Sequence, residues 1–151
     1  MSRLSGSLSS TIRVSQTPTV STSPAYTAKD AVGGLLTFAG IGAAGVLFGV
    51  TVIDASQQRP SLELVLFDRT FTASVDNAIF APSDADLANC LGVVAINSWA
   101  DFSTNSVAQV SGVALPYLLS GTSLFGQLVT RGTPTFVATS DIAVIVSVLP
   151  H

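Results

Sequence analysis

Residues 31–53 read AVGGLLTFAGIGAAGVLFGVTVI, and these 23 residues carry no charge, so they are long enough to cross a bilayer as a helix. They also contain six glycines, and their flanks offer few of the basic and aromatic anchors that membrane helices use. In the second half, large apolar side chains occupy alternate positions: Val46, Phe48, Val50 and Val52. This period of two is typical of strands. We therefore predict two strands joined by a bend near residues 40–42, and no membrane partner.

The chain on either side of this stretch also reads as short strands separated by turns. The last strand has the clearest pattern, because alternate residues from Ile142 to Val148 are Ile or Val. The predicted strands are residues 35–39, 44–54, 61–67, 70–74, 91–97, 107–112, 115–119, 123–130, 134–138 and 141–149. Many short strands, with turns about every 8 to 12 residues, indicate an all-β fold, and we predict a jelly-roll-like β-sandwich.

One short helix is predicted between these strands. Ser83 is a good N-cap, Asp86 follows it at the third helical position, and Pro82 stands just before it. The helix is expected to last one or two turns and to end near Cys90. Acidic residues are stabilised at a helix start, so we assign Asp84 and Asp86 to capping rather than to calcium binding.

The N-terminal residues differ in composition from the rest. Twelve of the first 23 residues are Ser or Thr, yet every odd position from 3 to 13 is polar while apolar residues recur at even positions. We predict an extended arm over residues 1–25 and a β-sandwich body over residues 26–151. The arm is expected to add as a strand to a partner, because strand addition orders such segments. Its predicted contact residues are Leu4, Leu8, Ile12 and Val14. An unstructured terminus is the alternative.

The chain is rich in apolar residues and poor in charged and reactive side chains. Apolar residues make up 48% of the chain and charged residues only 10%, against about 25% in a typical soluble domain. A free-standing domain usually keeps a charged surface for solubility. A chain this poor in charge is expected to bury much of its exterior against neighbours. We therefore predict a structural assembly protein, not an enzyme.

The chain lacks the residues that the common kinds of catalytic and ligand-binding site require. The chain has one His and one Cys, too few for a zinc site, and the His is the terminal residue His151. Cys90 lies among apolar residues, as an inert buried thiol does. The six basic residues are scattered, whereas nucleic-acid binding needs a clustered basic stripe. We expect no catalytic residue, metal, cofactor or nucleic acid, although spacing alone leaves paired-carboxylate glycosidase chemistry open.

Three aromatic residues are the remaining candidates for partner contact. Trp99 and Phe102 follow a predicted strand and read as a loop, and Phe125 points away from Leu124 on its strand. Aromatic side chains dominate the energetics of subunit contacts. We predict Trp99, Phe102 and Phe125 as contacts, and ordinary core packing is the alternative for Phe102 and Phe125.

Three segments have distinctive amino-acid sequences: residues 64–73, LVLFDRTFTA; residues 76–87, DNAIFAPSDADL; and residues 124–135, LFGQLVTRGTPT. Together they resemble small virion proteins of tailed bacteriophages, of the head-decoration or cement kind, over roughly residues 26–149. The resemblance implies a β-sandwich or jelly-roll body on the outer surface of the capsid. It also implies a homo-oligomer, commonly a trimer, that clamps subunits of the major capsid protein.

Two other classes remain open at this point. A tail or head-completion protein of the virion uses the same low-charge all-β design, and particle symmetry and copy number would distinguish it. A secreted carbohydrate-binding β-sandwich is a different class, which glycan binding by the isolated body would support.

Overall fold

The computed structural model describes residues 10–151, which fold into two antiparallel β-sheets packed face to face. In chain order the elements are β1 (Ile12–Gln16), β2 (Ala31–Phe38), β3 (Ala44–Asp54), β4 (Leu62–Phe67), α1 (Asp84–Leu87), β5 (Cys90–Ile96), β6 (Trp99–Asp101), β7 (Ser106–Leu118), β8 (Leu124–Thr130) and β9 (Ile142–Pro150). The predicted all-β sandwich with one short helix is confirmed.

The strand order identifies the sandwich as a jelly roll. One sheet has the order β1-β9-β3-β7-β6 and the other has the order β2-β8-β4-β5. When the three-residue β6 is set aside, eight strands remain, and the first pairs with the last while the second pairs with the last but one. This nesting of outer strands around inner ones gives two Greek keys, the arrangement of a jelly roll.

The main core lies between the two sheets and follows from the alternation of the strands. In β9, Ile142, Val144, Val146 and Val148 are all fully buried, as the pattern predicts. Leu62, Leu64 and Leu66 of β4 face them from the other sheet and are equally buried. Burial of each such side chain stabilises the fold by roughly 1.5–3 kcal/mol before entropy is counted.

The two strands predicted within residues 31–53 are present, but they enter different sheets. Gly40 and Gly42 have positive φ angles of 73° and 80° in the bend between them, a conformation that glycine adopts readily. Ile41, between the two glycines, is fully buried in the main core. Across residues 10–151, none of the helices has the length and apolar character needed to cross a membrane.

The alternating apolar residues of β3 do not all lie on one face of the strand. Leu47 pairs with Val148 of β9 and Gly49 pairs with the adjacent Ser147, so Phe48 is an extra residue in a β-bulge against β9. A bulge exchanges the two faces of a strand beyond it. Leu47 and Val50 are therefore both buried, while Phe48 is 38% exposed.

Three other strand predictions need correction. Residues 70–74 and 134–138 are loops, and they resemble strands because Phe71 and Phe136 are buried at their centres. Residues 107–112 and 115–119 belong largely to one long strand, β7, in which Gly112 adopts a positive φ of 73° without ending the ladder. The three-residue β6 was not predicted as a strand.

The helix forms as the capping pattern predicts. The Ser83 side chain accepts a hydrogen bond from the backbone N–H of Asp86, at 3.0 Å. Asp84 and Asp86 both lie in the first turn, where the free N–H groups favour acidic side chains. The helix is one turn long and belongs to the segment that joins β4 to β5.

That joining segment, residues 68–89, builds a second core on the outer side of the four-stranded sheet. Its Phe71 packs with Phe67 and Val129, whose side chains point away from the main core, and the two phenyl rings stack at 3.9 Å. Gln127 is fully buried beneath the segment. Its Nε2 donates to the carbonyls of Ser74 (2.7 Å) and Gly33 (2.9 Å), and its Oε1 accepts from the Ser74 N–H (3.0 Å). We call residues 68–89 the covering segment.

Candidate assembly surface

Among residues 10–151, the outer side of the five-stranded sheet has no comparable cover. The ladders place Ile53 between Val107 and Ala143, and Thr51 between Gln109 and Ile145. We call this surface the uncovered face, and it consists of the outward side chains Val46, Phe48, Thr51, Ile53, Val107, Gln109, Pro116, Leu118, Ala143, Ile145, Ser147 and Leu149. The most exposed large apolar side chain of this face is Leu118, at 73%.

The uncovered face contains no charged side chain. Strands β3, β7 and β9 have a single charged residue, Asp54, and it points inward and is fully buried. The Asp54 carboxylate is satisfied locally by the Ser56 N–H and hydroxyl and by the Arg59 N–H. The charges at the borders are Arg13 on β1 and Asp101 on β6. Three adjacent strands therefore present only apolar, hydroxyl and amide groups to the outside.

A groove lined by two aromatic residues continues this surface at the β6 edge. It has a volume of about 550 Å³ and is lined by Ser98, Trp99, Ala100, Phe102, Val107 and Gln109. Phe102 is 63% exposed. Val107 and Gln109 belong to both the groove and the uncovered face, so the two form one continuous surface. We call this feature the aromatic groove.

Hydrogen bonds hold both aromatic residues in place. Trp99 Nε1 donates to the Pro60 carbonyl at 3.0 Å. Gln57 Nε2 donates to the carbonyls of Phe102 (2.8 Å) and Asn105 (3.1 Å), which fixes the turn that presents Phe102. Because these contacts exist in the single chain, the groove is formed before any ligand or partner is bound.

An exposed ion pair borders the groove. Arg59 Nη1 lies 2.6 Å from Asp101 Oδ2, and the Ser106 hydroxyl donates to Asp101 Oδ1 at 2.7 Å. The Ser106 hydrogen bond, with the Arg59 guanidinium, holds the pKa of the Asp101 carboxyl below its usual range. Arg59 and Asp101 therefore largely satisfy each other's charge. The groove itself is lined by uncharged side chains.

The structure brings together two of the predicted contact residues and separates the others. Trp99 and Phe102 line the same groove, whereas Phe125 packs into the second core beside the covering segment. Ile12 and Val14 pack against the main core of their own chain. The last two predicted contacts, Leu4 and Leu8, lie outside the described residues.

The N-terminal strand forms, but its partner differs from the expectation. Residues Ile12–Gln16 pair with β9 of the same chain, with Val14 opposite Val146. Pro18 and Val20, which follow, are buried as well. The described part of the predicted arm therefore packs as an edge strand of the body, because β9 leaves an open edge beside the core.

A third acidic residue of the covering segment, Asp76, has structural partners. The Asp76 carboxylate accepts hydrogen bonds from the hydroxyls of Ser21 and Tyr26 and from the Gly33 N–H. Burial, with the Asp76 hydrogen bond, raises the pKa of the Tyr26 hydroxyl. Within residues 10–151 no three His, Cys, Asp or Glu side chains are grouped as metal ligands are.

Sequence reasoning missed the groove's supporting residues. Gln57 and Arg59 both adopt positive φ angles, 54° and 49°, in the loop between β3 and β4. The sequence marks this loop as a turn through Pro60, but nothing in it indicates that Gln57 reaches Phe102, 45 residues away. Gln109 could have been found from the alternation of its strand.

Comparisons with protein-family models, with curated proteins and with solved structures each gave no match. Jelly-roll sandwiches support many unrelated functions, so the fold by itself assigns none. The chemistry of the uncovered face and of the aromatic groove is therefore the basis for a functional assignment.

Proposed function

We propose that this protein is a structural virion protein that binds the outside of a bacteriophage capsid as a decoration or cement protein. The main supporting observation is the uncovered face, where three adjacent strands expose no charge. Large exposed apolar surfaces on soluble domains mark interaction sites. A surface of this composition suits permanent contact with another protein.

The resemblance of residues 64–73, 76–87 and 124–135 to decoration proteins supports the same proposal. Most of these residues belong to the four-stranded sheet and the covering segment. On this side of the body the sheet is covered by residues of its own chain. The opposite side is then available for the shell. Repeated modest contacts over a lattice give high avidity, so a decoration protein needs no catalytic group.

We further propose that the protein is a trimer on the shell and that residues upstream of Ile12, including Leu4 and Leu8, contact a neighbouring chain. The described strand β1 already pairs within its own chain. Any contribution of the arm to a neighbour is therefore assigned to residues 1–11, a shorter reach than the sequence pattern suggested.

The test is occupancy of particles of the phage that encodes this chain. Particles lacking the protein are incubated with purified wild type or with Val107→Lys, which places a charge on the uncovered face. The matched control is Val137→Lys, at a 78% exposed position in a loop away from that face. We expect wild type and the control to decorate the shell in cryo-electron microscopy and V107K to bind much less. Equal binding of all three, or no binding by wild type, would contradict the proposal.

The aromatic groove favours a second candidate, carbohydrate binding. Trp99 and Phe102 expose aromatic surface beside the Gln109 amide, and sugars are recognised by such combinations of stacking and hydrogen bonding. Calorimetric titration with a panel of neutral oligosaccharides tests this function, with Trp99→Ala as the variant that should lose binding. A tail or head-completion role would use the same uncovered face, and the symmetry of the bound protein in particles distinguishes it.

A further inference from the structure

The four-stranded sheet ends in a strand with an open edge. Strand β5 pairs with β4 on one side only. Among the described residues, its backbone makes no backbone–backbone hydrogen bond outside that ladder. Leu115 of β7 packs against Gly92 at one end of β5 without forming such a bond. Alternate N–H and C=O groups along the other side of β5 are therefore free to pair with another strand.

Strand β5 has one irregularity, a bulge at Leu91 near its start, and its residues 92–96 pair regularly with β4. The other open edges are protected more fully. The edge of β2 is used by the covering segment, since the Ala31 N–H donates to Ala78 at 2.8 Å and the Ala31 carbonyl accepts from Asn77 at 2.9 Å. Strand β1 carries the charged Arg13, and β6 is only three residues long. The free half of β7 is interrupted by Gly112 and Pro116. Short strands, charges, bulges and prolines are the usual defences of sheet edges.

Strand β5 has the sequence CLGVVAI, seven residues without a charge or a proline. Val93 at its midpoint is 55% exposed, and Val94 and Ile96 on the opposite face are buried in the main core. The nearest charge on the adjoining strand, Glu63, is neutralised by Arg131 at 2.6 Å. An edge of this kind meets no like-charge repulsion when it is placed against its own copy.

We propose that β5 pairs antiparallel with β5 of a second copy of this chain around a two-fold axis at Val93. A two-fold contact uses the same patch on both partners, and an uncharged strand with an apolar midpoint meets that requirement. Pairing centred on Val93 places Gly92 of each copy opposite Val94 of the other, in the part of the strand that follows the Leu91 bulge. It joins the two four-stranded sheets into one sheet of eight strands and covers the exposed Val93 side chain.

The pairing is independent of shell binding, because β5 and the uncovered face belong to different sheets. A two-fold contact is also compatible with three-fold contacts made elsewhere on the body. In a lattice of trimers it would link neighbouring trimers. Its test needs only the purified full chain, so its failure and that of the proposed function are separable.

Disulfide trapping tests the geometry directly. Facing residues of an antiparallel pair have Cβ atoms about 4.5–5.5 Å apart, close to the separation that a disulfide spans. In a Cys90→Ser background, Val93→Cys should form a disulfide-linked dimer on mild oxidation. Val137→Cys in the same background is the matched control and should remain unlinked at the same protein concentration. Absence of the 93–93 link, or equal linking of the control, would overturn the proposal.

Sedimentation measurements provide a second test without an introduced thiol. Val93→Lys places two like charges on the axis, which should weaken self-association by roughly tenfold or more, while Val137→Lys should match wild type. Circular dichroism confirms that each variant is folded. Unchanged association of V93K would also overturn the pairing.

Discussion

The two outer sides of the sandwich are built from similar strands but differ in what covers them. The four-stranded sheet is covered by residues 68–89 of its own chain, and those residues contain five charged side chains. The five-stranded sheet has no such cover in the part of the chain that the structure describes, and its strands β3, β7 and β9 present no charge. The covering segment also exposes apolar residues, such as Val75 and Ile79. Charge, more than apolar exposure, therefore distinguishes the solvent side from the proposed docking side.

The largest expected difference between the two sides concerns stability. Phe67 is fully buried under the covering segment, whereas Phe48 is on the uncovered face. We expect Phe67→Ala to lower the free energy of unfolding by about 3–5 kcal/mol, because it leaves a cavity beside Phe71. We expect Phe48→Ala to change it by less than about 1 kcal/mol. Urea denaturation of both variants measures the contrast, and similar losses would show that the uncovered face is structural core.

A smaller difference is expected for two glutamines. Gln127→Ala removes the side chain that fixes Ser74 and leaves buried backbone groups unpaired, at a cost of about 1–3 kcal/mol. Gln109→Ala, on the uncovered face, should leave stability nearly unchanged. Limited proteolysis should cut Q127A within residues 68–89 faster than wild type. Equal cleavage of both variants would mean that Gln127 does not hold the covering segment.

Much of the main core, and little of the role of the uncovered face, could be predicted from sequence. The alternation of β4 and β9 defined buried faces because each strand is regular over its whole length. The faces of β3 could not be read, because the bulge at Phe48 depends on the pairing of β3 with β9. The meeting of Trp99 and Phe102 in one groove likewise depends on Gln57 and Pro60, which come from a distant loop.

The sequence also did not show which sheet is covered by residues of its own chain. Residues 70–74 look like a strand because Phe71 and Ala73 alternate with Thr and Ser, but these two side chains pack onto a sheet instead of extending one. The partner of β1 was unpredictable for a similar reason. Its alternating pattern specifies one buried face, and that face is satisfied equally by β9 of its own chain or by a neighbour.

An intermediate effect is expected for the N-terminus, on binding rather than stability. Removal of residues 1–9 leaves the whole of β1 in place, so the free energy of unfolding should change by less than about 0.5 kcal/mol. Affinity for undecorated particles should fall by about tenfold or more, because one of several linked contacts is lost. Binding curves on particles and urea denaturation measure the two quantities. Full-strength docking by the truncated protein would contradict the proposed role of Leu4 and Leu8.

The smallest effect is expected at the border of the uncovered face, in the exposed ion pair of Arg59 and Asp101. The largest single cause that lowers the pKa of Asp101 is the Ser106 hydrogen bond, and Arg59 adds a hydrogen bond and its charge, so Ser106→Ala and Arg59→Ala should each raise this pKa. Because the folded-state pKa is depressed, the stabilisation is present above the unfolded pKa, about 3.9, and is lost as the pH falls through the folded value. Carboxyl chemical shifts during an acid titration give the pKa in each variant. An unchanged pKa in either variant would show that the substituted side chain does not act on the Asp101 carboxyl.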